Sequence, residues 1–346
     1  MIAKEKIDLS AIPEEDLLRL RIKDLPLSIE GTWLWDCVKE LYQELEAKGI
    51  KFKPVCYLAD EWFAPDQDPQ ISLPFFLAQP TLIKLEKKMM REAEGETKSW
   101  CMQLLRHEAG HAINYAYKLY QSPDWKKIFG SFSKAYGDAY RFRPYSKSFV
   151  RHLEKYYAQC HPDEDFAETF AVWLTPGLDW QTQYKGWKAL AKLQYVDKVV
   201  QEIKDKPPLV KKGKKYRKAS SLNLTLANYY KKKKHIYAED FPDFHDTNLI
   251  KIFSDKSKTD TKQPYAYSII KKYKDGICDD VSIWTGEKKF IINDLLETMI
   301  KRCKHLGLLN SMPEQQAILK ISIYVTALIM NYVHTGRFLR KKWKRS

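Results

Sequence analysis

The alternation of apolar and polar positions divides the chain into a series of helices with one short extended region near its start. Across residues 28–49, Trp33, Val38, Leu41, Tyr42 and Leu45 recur at helical spacing and Gly49 follows, which predicts an amphipathic helix. Residues 52–63 and 71–77 are short aromatic and apolar runs separated by the turn-forming stretch 65–69, the pattern of two strands, and Pro74 confines the second to a sheet edge or a bulge. Helices are predicted over 80–92 and 98–120, the second closed by Pro123. Residues 125–148 are rich in Phe, Tyr, Gly and Arg and show no clean period. A helix then begins at Phe149 and ends at Pro162, which starts another that runs to Leu174 and is stopped by Thr175-Pro176-Gly177. A further helix is expected over 187–204. After Pro207-Pro208 the lysine-rich stretch 211–218 reads as an exposed linker. Beyond it, 222–233, 291–306 and 314–333 read as helices, with 281–284 and 289–292 as short strands.

Composition adds a division. The chain has 346 residues, 44% of them apolar, enough to fill one large core or two ordinary ones. Its net charge of +15 is unevenly spread. Residues 1–205 hold 29 Lys and Arg against 31 Asp and Glu, whereas 206–346 hold 30 against 13. The expected organisation is one domain over 1–205 and a basic, mainly helical region over 206–346, joined by a linker at about 206–220. The basic runs 211–218, 231–234 and 340–345, with Tyr216, Tyr229, Tyr230 and Trp343 among or beside them, suit an anionic partner such as nucleic acid, although no nucleic-acid motif accompanies them. Lys4, Glu5, Lys6 and Asp8 interrupt the start where a secretory signal would be apolar. The apolar segment 318–333, broken by Lys320, is shorter than the roughly 20 residues of a bilayer span and is expected to be a buried helix. The six cysteines form no C-x-x-C pair, which fits reduced thiols and a cytoplasmic location.

The chemistry concentrates in two segments. In His107-Glu108-Ala109-Gly110-His111 the histidines lie four apart on a predicted helix, so both imidazoles face one side and can reach one metal ion. Zinc suits imidazole nitrogen, and a catalytic zinc keeps three protein ligands and a water, with Glu108 positioned to act as general base. Leu104, Leu105, Ala109, Ala112 and Ile113 would bury this helix, and Gly110, unfavourable within it, implies close approach of another element. The third ligand is sought in His161-Pro162-Asp163-Glu164-Asp165-Phe166-Ala167-Glu168. Glu164 falls in the first helical turn, where the dipole favours an ionised carboxylate, and Glu168, one turn on, is suited to accept the free N–H of a ligating histidine. His161 and His152 compete with Glu164 for the ligand role, His161 also being placed to cap the helix. Arg141 and Arg143 are candidates for binding a substrate carboxylate or backbone carbonyls.

H-E-A-G-H followed about fifty residues later by E-x-x-A-E resembles the gluzincin class of metallopeptidases, and the arrangement is similar to that of the anthrax lethal factor catalytic domain. The strings 105–112, 157–162 and 164–174, and more loosely Trp62-Phe63, Phe75-Phe76-Leu77-Ala78 and 229–253, resemble a bacterial family of zinc-binding metallopeptidases. The resemblance implies an α+β, zincin-like fold with a small sheet beside the histidine helix, one zinc per chain held by His107, His111 and Glu164, and hydrolysis of peptide or protein substrates. The lethal-factor comparison assigns a phenol near the metal seven positions before Glu164, at Tyr157, with Tyr156 its neighbour. The cysteine-rich segment that precedes the peptidase region in many family members is absent here. Two other functions stay open: a nucleic-acid-associated zinc protein using its basic C-terminal region, and a zinc amidohydrolase acting on a non-protein amide.

Overall fold

The computed structural model describes residues 8–137, 140–211, 213–235, 245–253 and 263–335. The chain divides into two compact units, the first made of most of the residues up to Lys232 and the second of those from Lys233 on together with Met90–Glu92 and Asp138–Arg141.

In the first unit, α1 (Glu14–Arg19) and α2 (Trp33–Ala47) precede a two-stranded sheet. On α2, Val38, Leu41 and Leu45 are buried as the spacing predicts, Leu34 and Cys37 join them, Trp33 and Tyr42 are half-buried, and Gly49 follows in the left-handed conformation that ends the helix. Strands β1 (Val55–Ala59) and β2 (Gln70–Pro74) pair in parallel, Val55 with Gln70 and Ala59 with Pro74. Proline is tolerated there because it is the last strand residue, and Phe75–Ala78 turns into a 3-10 segment where the sequence suggested more strand. The connection between the strands folds back, so that Phe63 makes an antiparallel bridge to Ser72.

Next come α3 (Pro80–Met90), α4 (Lys98–Ala116) and α5 (Pro123–Phe129). The Thr97 hydroxyl caps α4 by accepting the Trp100 N–H at 3.3 Å. This helix is sunk in the core: all its residues from His107 to Ala116 are buried. It ends four residues short of the expected 120, at a left-handed Lys118. Arg106 anchors it to α2 through two bonds to Glu44, at 2.8 and 2.6 Å. Helix α6 (Pro162–Leu174) is buried along its whole length and packs between α4 and α8 (Ala189–Ile203), with the short α7 (Trp180–Gln183) before α8.

The helix expected from Phe149 to Pro162 does not form. Lys155 and Tyr156 adopt left-handed backbone angles, and only 3-10 turns span Glu154–Gln159. Backbone donors here find side chains instead: Leu153 N–H bonds Glu168 and Arg151 N–H bonds the Tyr184 hydroxyl. The lysine-rich stretch predicted as a linker keeps Lys211, Lys214, Lys215 and Lys218 in solvent but ties its backbone to the first unit. Lys218 bridges Ala59, the Tyr216 carbonyl accepts from the Tyr57 hydroxyl, and Arg217 pairs with Asp60. Helix α9 (Leu226–His235) then buries Tyr229 and Tyr230.

The second unit contains α10 (Asp246–Ile252), α11 (Ala266–Thr285), α12 (Lys289–His305) and α13 (Glu314–Thr335). The two short strands expected at 281–284 and 289–292 lie inside α11 and α12. Their β-branched residues extend helical stripes, Ile270, Ile277 and Val281 on one helix and Ile292, Leu296 and Met299 on the other, and that period prevails. Helix α13 buries one face, Ala317, Ile321, Val325, Leu328 and Ile329, and exposes Leu319 and Ile323 on another. It is therefore buried along one narrow face only. With 22 residues it is long and apolar enough to cross a membrane by length and composition, the one such helix among the described residues. The basic run 340–345 lies outside the described residues.

Candidate metal centre

Helices α4 and α6 approach each other at Gly110, and the polar residues gather around that crossing. A β-carbon at position 110 would lie 2.7 Å from the Ala167 Cα and 2.9 Å from its carbonyl oxygen. Only hydrogen fits there. The crossing brings His107 and His111, one turn apart on α4, against Glu164 and Glu168, one turn apart on α6. All four are buried amid Leu105, Ala109, Ala112, Phe166, Ala167 and Phe170.

Three atoms converge. Glu164 Oε2 lies 3.1 Å from His107 Nε2 and 3.2 Å from His111 Nε2, and the two nitrogens are 3.2 Å apart. Each can supply a lone pair, and together they form the cluster able to hold a metal ion among the described residues. Donors about 2.0–2.1 Å from a tetrahedral zinc stand about 3.3 Å from each other, so this nearly equilateral triangle fits zinc with little adjustment. His161 and His152 are engaged elsewhere. His161 Nδ1 accepts the Asp163 N–H at 3.1 Å and its Nε2 faces the Lys134 carbonyl at 2.6 Å, so it caps α6. His152 Nε2 faces the Gln103 carbonyl at 2.9 Å.

The far side of each imidazole meets a carboxylate. His107 Nδ1 is 2.8 Å from Glu168 Oε1, and the other Glu168 oxygen accepts Leu153 N–H at 2.8 Å. His111 Nδ1 is 3.0 Å from Asp163 Oδ2. Asp163 is itself held by the Asn114 amide at 2.8 Å and by the Tyr115 hydroxyl. Glu168, hydrogen-bonded to His107 Nδ1, fixes the tautomer that turns Nε2 outward and raises its basicity, and Asp163 acts on His111 Nδ1 by charge at 3.0 Å without hydrogen-bond geometry. The sequence reading found Glu168 but missed Asp163. A signal existed in its position: one residue before Glu164, it meets the histidine one turn after His107.

The electrostatics follow from burial and these contacts. Burial disfavours a charged His107, but its bonds to Glu164 and Glu168 prevail and push it up to about 9. His111 is likewise opposed by burial and carried well above its ordinary value by Asp163 and Glu164. Burial works against ionised Glu164, yet the two histidines hold it well below the usual carboxylate range. Glu108 is raised, chiefly by burial, with the histidines pulling the other way. The Ala64 backbone bonds its carboxylate, while Glu108 Oε2 is buried with no hydrogen-bond partner. A buried carboxylate oxygen left open beside three convergent donors is what a base acting on a water molecule requires.

Two tyrosines approach this cluster. The Tyr157 ring centroid lies 5.8 Å from that of His107, whereas Tyr156 packs on Phe142 at 4.9 Å. Tyr136, in the segment whose sequence shows no period, donates its hydroxyl to Glu164 Oε1 at 2.9 Å. No sequence signal singled it out. Arg141 and Arg143 are exposed, and Arg143 makes its backbone bonds to the Gln159 side chain.

No curated protein and no solved structure matches the chain. A family model does, over residues 83–205, a span that holds α4, α6, the His107, His111 and Glu164 cluster, its neighbouring carboxylates and both tyrosines. The looser resemblances at 62–63, 75–78 and 229–253 lie outside that span. Residues 83–205 match the model of the family described as "Putative zinc-binding metallo-peptidase".

Proposed function

We propose that this chain is a zinc-dependent peptidase of gluzincin type, with His107, His111 and Glu164 as the metal ligands and Glu108 as the general base. The observation that carries the reading is the triangle of His107 Nε2, His111 Nε2 and Glu164 Oε2, with edges of 3.1–3.2 Å, beside the unpartnered Glu108 Oε2. Zinc, when bound, supplies a Lewis acid that activates water and polarises a substrate carbonyl.

The remaining work falls to the protein. Glu108 takes a proton at Oε2 from the attacking water and returns it to the leaving nitrogen, a task favoured by the burial that raises its pKa above the ordinary carboxylate value. Glu168 and Asp163 keep the two imidazoles oriented throughout. To the Tyr157 phenol we assign a hydrogen bond to the oxyanion of the tetrahedral intermediate, and its closeness to His107 supports that role. The apolar residues around α4 and α6 exclude bulk water and strengthen each of these interactions. All six cysteines are free, which supports residence in a reducing, cytoplasmic compartment.

The test is cleavage of a diverse peptide library by the wild type and by Glu108→Gln, with zinc content measured on both. The expected result is one zinc per chain in each protein and cleavage by the wild type at least about 100-fold faster than by the variant. Equal cleavage by the two proteins would remove Glu108 from the chemistry. A zinc-loaded wild type that cleaves non-peptide amides and no peptides would move the substrate class.

A further inference from the structure

Tyr136 touches the proposed site without belonging to either of its motifs. Its hydroxyl donates to Glu164 Oε1 at 2.9 Å, while Glu164 Oε2 is the oxygen that faces the two histidines. The two oxygens of one carboxylate therefore have separate partners. The Tyr136 ring stacks on the His161 ring, with centroids 3.9 Å apart and planes 16° from parallel. His161 is fixed at both nitrogens, by the Lys134 carbonyl two residues before Tyr136 and by the Asp163 N–H one residue before Glu164. One buried imidazole thus locks the tyrosine segment to the first turn of α6, and the phenol is aimed by a rigid support. The residue as a whole remains 53% exposed, so the segment is a wall of the site and not part of its core.

We infer that Tyr136 is a positioning residue that holds Glu164 as a one-oxygen ligand. This role rests on the metal reading above. A carboxylate can meet a metal through one oxygen or two, and the second oxygen, if free to turn inward, would take up coordination space that a catalytic site reserves for water and substrate. The Tyr136 bond occupies that oxygen and restrains the rotation. Loss of such support around a ligand costs about 10–100-fold in metal affinity.

The experiment compares the wild type with Tyr136→Phe, and with Tyr145→Phe as a control at a 91% exposed position. Zinc affinity is measured by chelator competition, and each protein is also loaded with cobalt(II), whose visible absorption reports coordination number. The expected result for Tyr136→Phe is one metal per chain, affinity lowered about 10–100-fold, and weaker cobalt bands as Glu164 becomes bidentate. Tyr145→Phe should match the wild type in both readouts. A general loss of structure would lower the melting temperature of the metal-free variant, and an unchanged value isolates the effect to the site. Unchanged affinity and an unchanged cobalt spectrum in Tyr136→Phe would overturn this role alone. A wild type that takes up no zinc would overturn the metal reading, and this role with it.

Discussion

Gly110 on α4 lies against Ala167 on α6 so closely that the hydrogen of the glycine is the only substituent the space admits, a β-carbon there falling 2.7 Å from the Ala167 Cα. The obstacle is backbone, which cannot turn aside as a side chain can. Gly110→Ala should therefore destabilise the protein by about 1–3 kcal/mol or more, although alanine is the better helix former by about 1 kcal/mol. Thermal unfolding with zinc titration checks this: the variant should melt lower and bind zinc more weakly. A variant as stable as the wild type would show that the crossing relaxes.

Asp163 supports His111 as Glu168 supports His107, and neither carboxylate points into the ligand triangle. Asp163→Asn keeps the shape and removes the charge. Zinc affinity should fall about 10–100-fold with the one-to-one stoichiometry retained. His111→Ala should instead abolish stoichiometric binding. If the two variants bind zinc alike, the division between ligand and support is mistaken.

The pH dependence has opposite signs with and without metal. In the metal-free protein the folded pKa of His107 lies near 9, above the ordinary value of 6.5, so its contribution to stability is complete below 6.5 and lost as pH rises through about 9. Zinc requires the neutral ring, so its affinity should climb across that window. Melting curves in chelator should move down from pH 6.5 to 9, while the increase in melting temperature caused by zinc grows. A zinc-induced increase that is flat across this range would contradict the assignment of His107 as a ligand.

Asp165, on the far face of α6, is buried and paired with Lys192 at 2.6 Å. Burial still pushes its carboxyl up to about 7 despite the lysine. Lys192→Met would leave that carboxylate unpaired and should cost about 3–5 kcal/mol at pH 8. A carboxyl whose folded pKa is raised loses nothing below its unfolded value near 4, and its penalty grows as pH rises toward the folded value. The defect should accordingly shrink at pH 5, as denaturant unfolding at the two pH values would show.

The parts of the fold that the sequence announced are those in which local rules and burial agree. Pro162 and three acidic residues at the start, and Thr175-Pro176-Gly177 just past the end, delimit α6 from first residue to last. Gly110 signalled the close approach at the heart of the site. Other parts were set by distant contacts. The segment 149–161 has helical composition, but its backbone donors are taken by Glu168 and by the Tyr184 hydroxyl, and Lys155 and Tyr156 turn left-handed to allow it. Asp163 reads as an ordinary first-turn acid until α4 brings His111 beside it. Tyr136 is legible only through its stack on His161, which no spacing encodes.

The pairing of each histidine with carboxylates on both sides has one more consequence. Around the ligand triangle stand four acids, Glu108, Asp163, Glu164 and Glu168, and two imidazoles. With both rings protonated, as the metal-free contacts favour, the cluster bears the same net charge as it does with neutral rings and one divalent ion. Zinc uptake would then be an electroneutral exchange of two protons for one divalent cation. The empty scaffold is already balanced for its guest, and the acid released to a weak buffer on titration would count how many protons had been standing in for the metal.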